Sequence, residues 1–128
     1  MIKQHTIEML ADWILKHRNS EVFVGDTKES IALGIQEDVK NCCLLYAFDD
    51  NIMDFIGVLS YKLDKESKIF FIRNILITKH TSLVYFINYF RMYYSDYRIT
   101  GNRDNQYVQY NSFRLCNLLM KQSIKEQE

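Results

Sequence analysis

The sequence is 128 residues long, 48% hydrophobic, with 16 Lys+Arg balancing 16 Asp+Glu. That length fills one domain with one ordinary core and leaves no room for a second. The zero balance argues against a nucleic-acid-binding domain, which carries a basic excess, and the longest apolar runs, 42–48 and 55–60, fall far short of the roughly 20 residues of a membrane-spanning helix.

No repeat, low-complexity tract or Gly/Ser/Pro linker interrupts the chain, so a single unit over 1–128 is expected, with a polar tail at 121–128. The first element reads as a helix: Ile7, Leu10, Trp13, Ile14 and His17 recur at three- and four-residue steps, while Glu8, Asp12 and Lys16 face away. After Gly25 and Asp26 a second helix is predicted over 27–39, with Thr27 as N-cap and Glu29 in the first turn. Gly34 weakens it by about 1 kcal/mol relative to alanine.

From residue 42 the pattern changes to β-branched and aromatic runs. Segments 43–48, 53–63 and 68–78, separated by Asp49-Asp50-Asn51 and a polar turn at 64–67, predict three consecutive antiparallel strands. The third carries Ile69, Phe70, Phe71, Ile72, Ile75, Leu76 and Ile77, apolar on both alternating faces, the pattern of a central strand covered on both sides. Arg73 and Asn74 break that run. An unpaired buried charge is prohibitive, so the break calls for a bulge, a splayed edge or a lined groove. Two readings of Arg73 stand: contact with a substrate carboxylate or backbone carbonyl, and an internal ion pair with an acidic residue of a neighbouring strand.

Thr81 or Ser82 is expected to cap a helix to about Tyr94, with Leu83, Phe86, Ile87 and Phe90 as its core stripe. Tyr85, Tyr89 and Tyr93 recur every four residues as a second, aromatic stripe, which reads either as burial on two sides or as an interface. Short strands at 97–100 and 106–110 flank a turn at 101–105. A last helix, capped by Asn111 or Ser112, turns Phe113, Leu115, Cys116, Leu118, Leu119 and Met120 to the core.

Cys42, Cys43 and Cys116 form no even framework and no CxxC spacing, which predicts buried free thiols in a reducing compartment. The N-terminus begins Met1-Ile2-Lys3-Gln4-His5 and carries Glu8 and Asp12, unlike a signal peptide, so a cytoplasmic location is expected. Residues 1–64 hold 6 Lys+Arg against 11 Asp+Glu, and residues 65–128 hold 10 against 5. Either the halves separate into a dipole or they interleave and their charges mix. His5, His17 and His80 have no metal-site spacing, and no GxSxG, HExxH or Gly-rich nucleotide loop occurs. Arg91, Arg98, Arg103 and Arg114 interleave with tyrosines in a mixture that suits nucleic acid, but without the basic excess such binding is not expected.

The order helix, helix, three strands, helix, strand, strand, helix resembles the Gcn5-related N-acetyltransferase (GNAT) arrangement over roughly 27–120. Phe71-Ile72-Arg73-Asn74-Ile75-Leu76-Ile77-Thr78, followed by a helix and by Tyr97-Arg98-Ile99-Thr100-Gly101-Asn102-Arg103 and Tyr110-Asn111, is similar to small GNAT-like proteins of tailed bacteriophages. The resemblance implies an α+β fold whose central, mostly antiparallel sheet has helices on both faces. It also implies a central strand splayed from its neighbour to receive the pantetheine arm of acetyl-CoA, followed by a Q/R-x-x-G-x-G/A loop and a helix N-terminus facing the pyrophosphate. Carried onto this chain, the cofactor positions are Ile75, Ile77, Lys79, His80, Thr81 and Ser82. The loop itself reads Thr78-Lys79-His80-Thr81-Ser82-Leu83-Val84, without glycine, so side chains stand where the family brings backbone against the cofactor.

A general acid falls by position on Tyr107 or Tyr110, and a base on Asp54, Glu66 or His80. Two functions follow as expectations. The first is a non-catalytic GNAT-like domain acting through protein–protein interaction or self-association, a phage accessory or virion-associated protein in host cytoplasm or virion, with no cofactor, metal or membrane. The alternative is a divergent N-acyltransferase that uses acetyl-CoA to acylate an amine.

Overall fold

The structure, a computed structural model, describes residues 3–18, 26–103 and 106–110, with backbone alone at 102–103 and 106–110. The closing helix expected after Asn111, its Cys116 and the polar tail lie outside the described residues, as does Gly25. Helix α1 (Gln4–His17) buries Ile7, Leu10, Ala11, Trp13 and Ile14, the stripe its spacing predicts. His17 is half-buried and leans on Trp13, ring centroids 5.1 Å apart. Helix α2 (Lys28–Lys40) starts on the expected cap: Thr27 Oγ1 accepts from Ser30 N–H at 3.2 Å, while Ser30 Oγ accepts from Thr27 N–H at 2.9 Å. Two orphan donors of the first turn are thereby satisfied, an arrangement worth about 1 kcal/mol. Lys28 Nζ to Asp12 Oδ1, 3.0 Å, and Gln36 to Gln4, 2.9 Å, tie α2 to α1.

The three predicted strands are β1 (Leu44–Asp49), β2 (Asp54–Asp64) and β3 (Ile69–Ile77). Left-handed residues, Cys42, Met53 and Lys68, precede them in turn, each with φ near 55° (56°, 53° and 53°). Helix α3 (His80–Tyr93) follows, then β4 (Arg98–Arg103) and β5 (Gln106–Tyr110). Gly101, placed in a turn by its sequence, is a strand residue paired with both Ile72 and Val108. The sheet order is β1-β2-β3-β4-β5. All neighbours are antiparallel except β3 and β4, which run parallel, as a helical crossover such as α3 allows.

The chain is thus α+β with a mixed sheet, and each face of the sheet carries its own core. Against α3 lie Leu45, Leu59, Tyr61, Phe70, Ile77 and Ile99, which meet Leu83, Phe86, Ile87 and Phe90. Against α1 and α2 lie Phe55, Val58 and Leu76. Burying an aliphatic or aromatic side chain of this kind stabilises by about 1.5–3 kcal/mol, so the two cores hold β2 and β3 from both sides. No helix among the described residues is long and apolar enough to cross a membrane.

Two one-residue bulges bend the central strands. In β2, Ala47 pairs with Gly57 and Phe48 with Phe55, leaving Ile56 as the extra residue. In β3, Ser60 pairs with Asn74 and Tyr61 with Ile72, leaving Arg73 as the extra residue. A bulge increases local twist and re-aims side chains. Both bulges border the junction of β3 with α3 or the end of the β3–β4 pairing.

Candidate functional site

The carbonyl of bulge residue Ile56 sits at the junction of β3 and α3. It accepts from Thr78 N–H at 2.9 Å, Lys79 N–H at 3.4 Å and Thr78 Oγ1 at 3.3 Å. This fixes the chain where the resemblance places a cofactor loop. The cap of α3 falls two residues before Thr81 and three before Ser82, the caps expected: it is Lys79, with extended backbone and no side-chain cap bond. Ser82 is fully buried inside the helix, and its hydroxyl donates to Lys79 O at 2.6 Å. The cause is tertiary. A Cβ on Gly57 would stand 2.7 Å from Ser82 Cβ and 3.2 Å from Phe86, so only glycine lets the first turn of α3 press this closely on β2.

Of the candidate cofactor positions, Ile77 is fully buried in the α3-side core and Ile75 is half-buried. Lys79 Nζ meets Asp49 Oδ2 at 3.1 Å. The Asp49 carboxyl lies below the usual range, first because Asn51 N–H donates to it and then because of Lys79. His80 and Thr81 are exposed on the first turn of α3.

Arg73 has its partner on a helix and not, as its sequence context suggested, on a neighbouring strand. Its guanidinium donates to Asp38 Oδ1 of α2 at 2.6 Å. Asp38 is 7% exposed. Its burial raises the carboxyl above its ordinary value, with Arg73 pulling the other way. Asp38 follows Ile31 and Ile35 on the buried stripe of α2, and a carboxylate at that spacing was the available sequence signal for this partner. Beside it, Asn74 Nδ2 donates to Ser60 Oγ at 3.3 Å.

β3 and β4 pair only from Ile69↔Arg98 to Ile72↔Gly101, although β3 runs on to Ile77. On the α3 side of this short ladder lies a small apolar pocket of about 10 Å³, room for about one water. Phe70, Ile72, Ile75, Phe86, Phe90 and Ile99 line it.

Helix α3 turns a second surface outward. Tyr85 is 48% and Tyr93 60% exposed, joined by Val84 at 49% and Met92 at 72%. Tyr89 is half-buried, its ring 4.7 Å from that of Tyr93. Behind it, Tyr61 stacks on Phe70 at 4.4 Å, and its hydroxyl donates to Cys42 O at 2.9 Å. Burial pushes the Tyr61 hydroxyl far above its ordinary range and the Cys43 thiol upward as well. The expectation of buried thiols fails at Cys42, which is exposed, and Cys43 is half-buried.

The proposed acids Tyr107 and Tyr110 sit in β5 opposite Asn102 and Ile99, with their side chains outside the described residues. Of the proposed bases, Asp54 accepts from Phe55 N–H at 2.8 Å, and Glu66 and His80 are exposed. They stand on separate segments: Asp54 opens β2, Glu66 lies in the β2–β3 turn and His80 opens α3. No group of three His, Cys, Asp or Glu among the described residues is arranged to hold a metal ion. No family model, no curated protein and no solved structure matches this chain.

Proposed function

We propose that this chain is a GNAT-like domain that works by binding another protein chain, a second copy included, through the outer face of α3. One observation carries this reading: a 14-residue helix without a single Asp or Glu exposes Val84, Tyr85, Met92 and Tyr93 together. Clustered exposed apolar side chains mark contact surfaces, whereas scattered ones do not. Tyrosine suits the role because it combines a large apolar area with a hydroxyl and loses little conformational freedom on contact. The junction supports the same reading, since Lys79 and Ser82 are engaged within the chain and glycine is absent from the loop.

Light scattering over a concentration series, repeated with Tyr85→Glu and Met92→Glu, tests it. Self-association, or capture of a purified partner, that both substitutions abolish without changing the circular dichroism spectrum supports this role. Association that survives both removes α3 as the contact.

Divergent acyl transfer has one observation in its favour, the short parallel ladder of β3 and β4 beside an apolar pocket. In this reading the pantetheine arm of acetyl-CoA follows β3 past Ile75. Calorimetric titration with acetyl-CoA and with free CoA separates the two: micromolar binding favours the enzyme, and no binding at millimolar concentration removes it.

A further inference from the structure

We propose that the outer edge of β1 pairs, antiparallel and about a two-fold axis, with β1 of a second copy of this chain, so that two sheets join into one. The surface is a different one from the outer face of α3, and neither inference rests on the other.

Hydrogen-bond parity places the open groups of β1, the terminal strand of the order β1-β2-β3-β4-β5. Cys43 O accepts from Tyr61 N–H at 3.0 Å, and the register Leu44↔Ser60, Leu45↔Leu59, Tyr46↔Val58, Ala47↔Gly57 continues that pairing without a shift. In an antiparallel ladder, opposed residues exchange bonds at every second position. Cys43, Leu45 and Ala47 therefore turn their backbone groups to β2, and Leu44 and Tyr46 turn theirs outward. Among the described residues no further bond reaches those outward N–H and C=O groups. Two donors and two acceptors thus stand at the spacing of a partner strand, the arrangement that strand addition uses.

The edge lacks the features that keep other edges single. Charged side chains, proline and bulges are the usual guards. Residues 42–48 read Cys-Cys-Leu-Leu-Tyr-Ala-Phe, with no charge and no proline. The extra residue of the bulge near Ala47 belongs to β2, which leaves β1 regular on its outer side. Its side chains form an apolar row on one face: Leu44 and Tyr46 lie half-buried on the α1/α2 core, and Phe48 is 37% exposed with its ring against Phe55 of that core. The two helices cover this row only in part.

A second copy matches the row and its charges. With Tyr46 opposite Tyr46 of the second copy, Leu44 and Phe48 oppose each other twice, and cross-strand pairs of aromatic and aliphatic residues stabilise a sheet. Antiparallel pairing also keeps the two acidic turns, Asp49 and Asp50 in each copy, at opposite ends of the joined strands. Each turn approaches the end of the other β1 where Lys40 is exposed and Glu37 is held by Asn41 at 3.3 Å. Parallel pairing would instead bring four carboxylates together, at the cost that like charges carry.

The test combines light scattering of the full chain over a concentration series with amide hydrogen exchange. A dimer should form, and exchange at Leu44 and Tyr46 should slow as it does, by about tenfold where about nine chains in ten are paired. Leu45 and Ala47, already bonded to β2, should change far less. Tyr46→Pro removes an outward donor and keeps the bonds to β2, a change that an edge strand tolerates. In it, and in Leu44→Lys, which installs an edge charge, the dimer that β1 forms should be lost; in Tyr46→Pro the Leu44 amide should no longer respond to concentration. Association through α3 leaves the β1 amides unchanged, so the two surfaces are read apart. A native chain without a dimer at about 1 mM overturns the proposal. So does a dimer in which the Leu44 and Tyr46 amides exchange as fast as in the monomer, or a folded Tyr46→Pro variant whose Leu44 amide still slows with concentration.

Discussion

The two bulges of the sheet are the same backbone irregularity held in place by different chemistry. At Ile56 the extra residue is apolar, 5% exposed, and anchored by a core on its side chain and by three donors on its carbonyl. At Arg73 the extra residue is charged and half-exposed, and one carboxylate holds it. Burial is spread over many contacts and is indifferent to pH, whereas an ion pair rests on one partner and on that partner's proton. The Ile56 bulge accordingly fixes how α3 meets β2, and the Arg73 bulge ties β3 to α2.

The largest expected effect lies at the apolar bulge. Ile56→Ala should cost about 3 kcal/mol, lost transfer energy plus an unfilled cavity, measured by urea denaturation with the slope unchanged. Next comes its neighbour. Gly57→Ala forces a methyl to within 2.7 Å of Ser82 Cβ, so α3 must shift, at about 2 kcal/mol. A substitution there without loss would mean that α3 can slide on β2, and the contrast between a bulge held by packing and one held by an ion pair would weaken.

Arg73→Ala should cost less, about 1–2 kcal/mol at neutral pH, because the exposure of Arg73 discounts what a fully buried pair would lose. Its pH dependence sharpens the comparison. Burial already raises the Asp38 carboxyl, and Arg73 opposes the rise; without the guanidinium the folded-state value rises further. The folded variant then holds its proton more tightly than the unfolded chain, so it gains stability as pH falls through that window. The deficit of Arg73→Ala is therefore greatest at neutral pH and shrinks in mild acid, while that of Ile56→Ala stays level. Equal profiles for the two variants would show that the Asp38 charge plays no part.

Much of this was legible in the amino-acid order. The stripe Ile7, Leu10, Trp13, Ile14 and the cap Thr27 are local signals, and α1 and α2 form where those signals stand. The three strands follow the three β-rich runs to within a residue or so. The break at Arg73-Asn74 announced a bulge, a splay or a groove, and the strand carries the first. Other points were not legible. Thr81 and Ser82 are better caps than Lys79 by chemistry, yet α3 starts on Lys79 because Gly57 admits the Ser82 turn against β2. Arg73 pairs with a helix, across 35 positions of chain, which no local pattern encodes. Two ion pairs, Arg73–Asp38 and Lys79–Asp49, join the basic half to the acidic one.

By itself the sequence determined the α+β class, the order of the described elements and their apolar stripes, since these depend on turn chemistry and on periods of two and 3.6 residues. Tertiary structure alone decided that β3 and β4 share a ladder of four pairs, that the extra residue of β3 is Arg73, and that Asp38 meets it. Those choices depend on which surfaces meet after the helices have packed. Close packing and the cost of a buried unpaired charge select among arrangements that local propensity leaves equal.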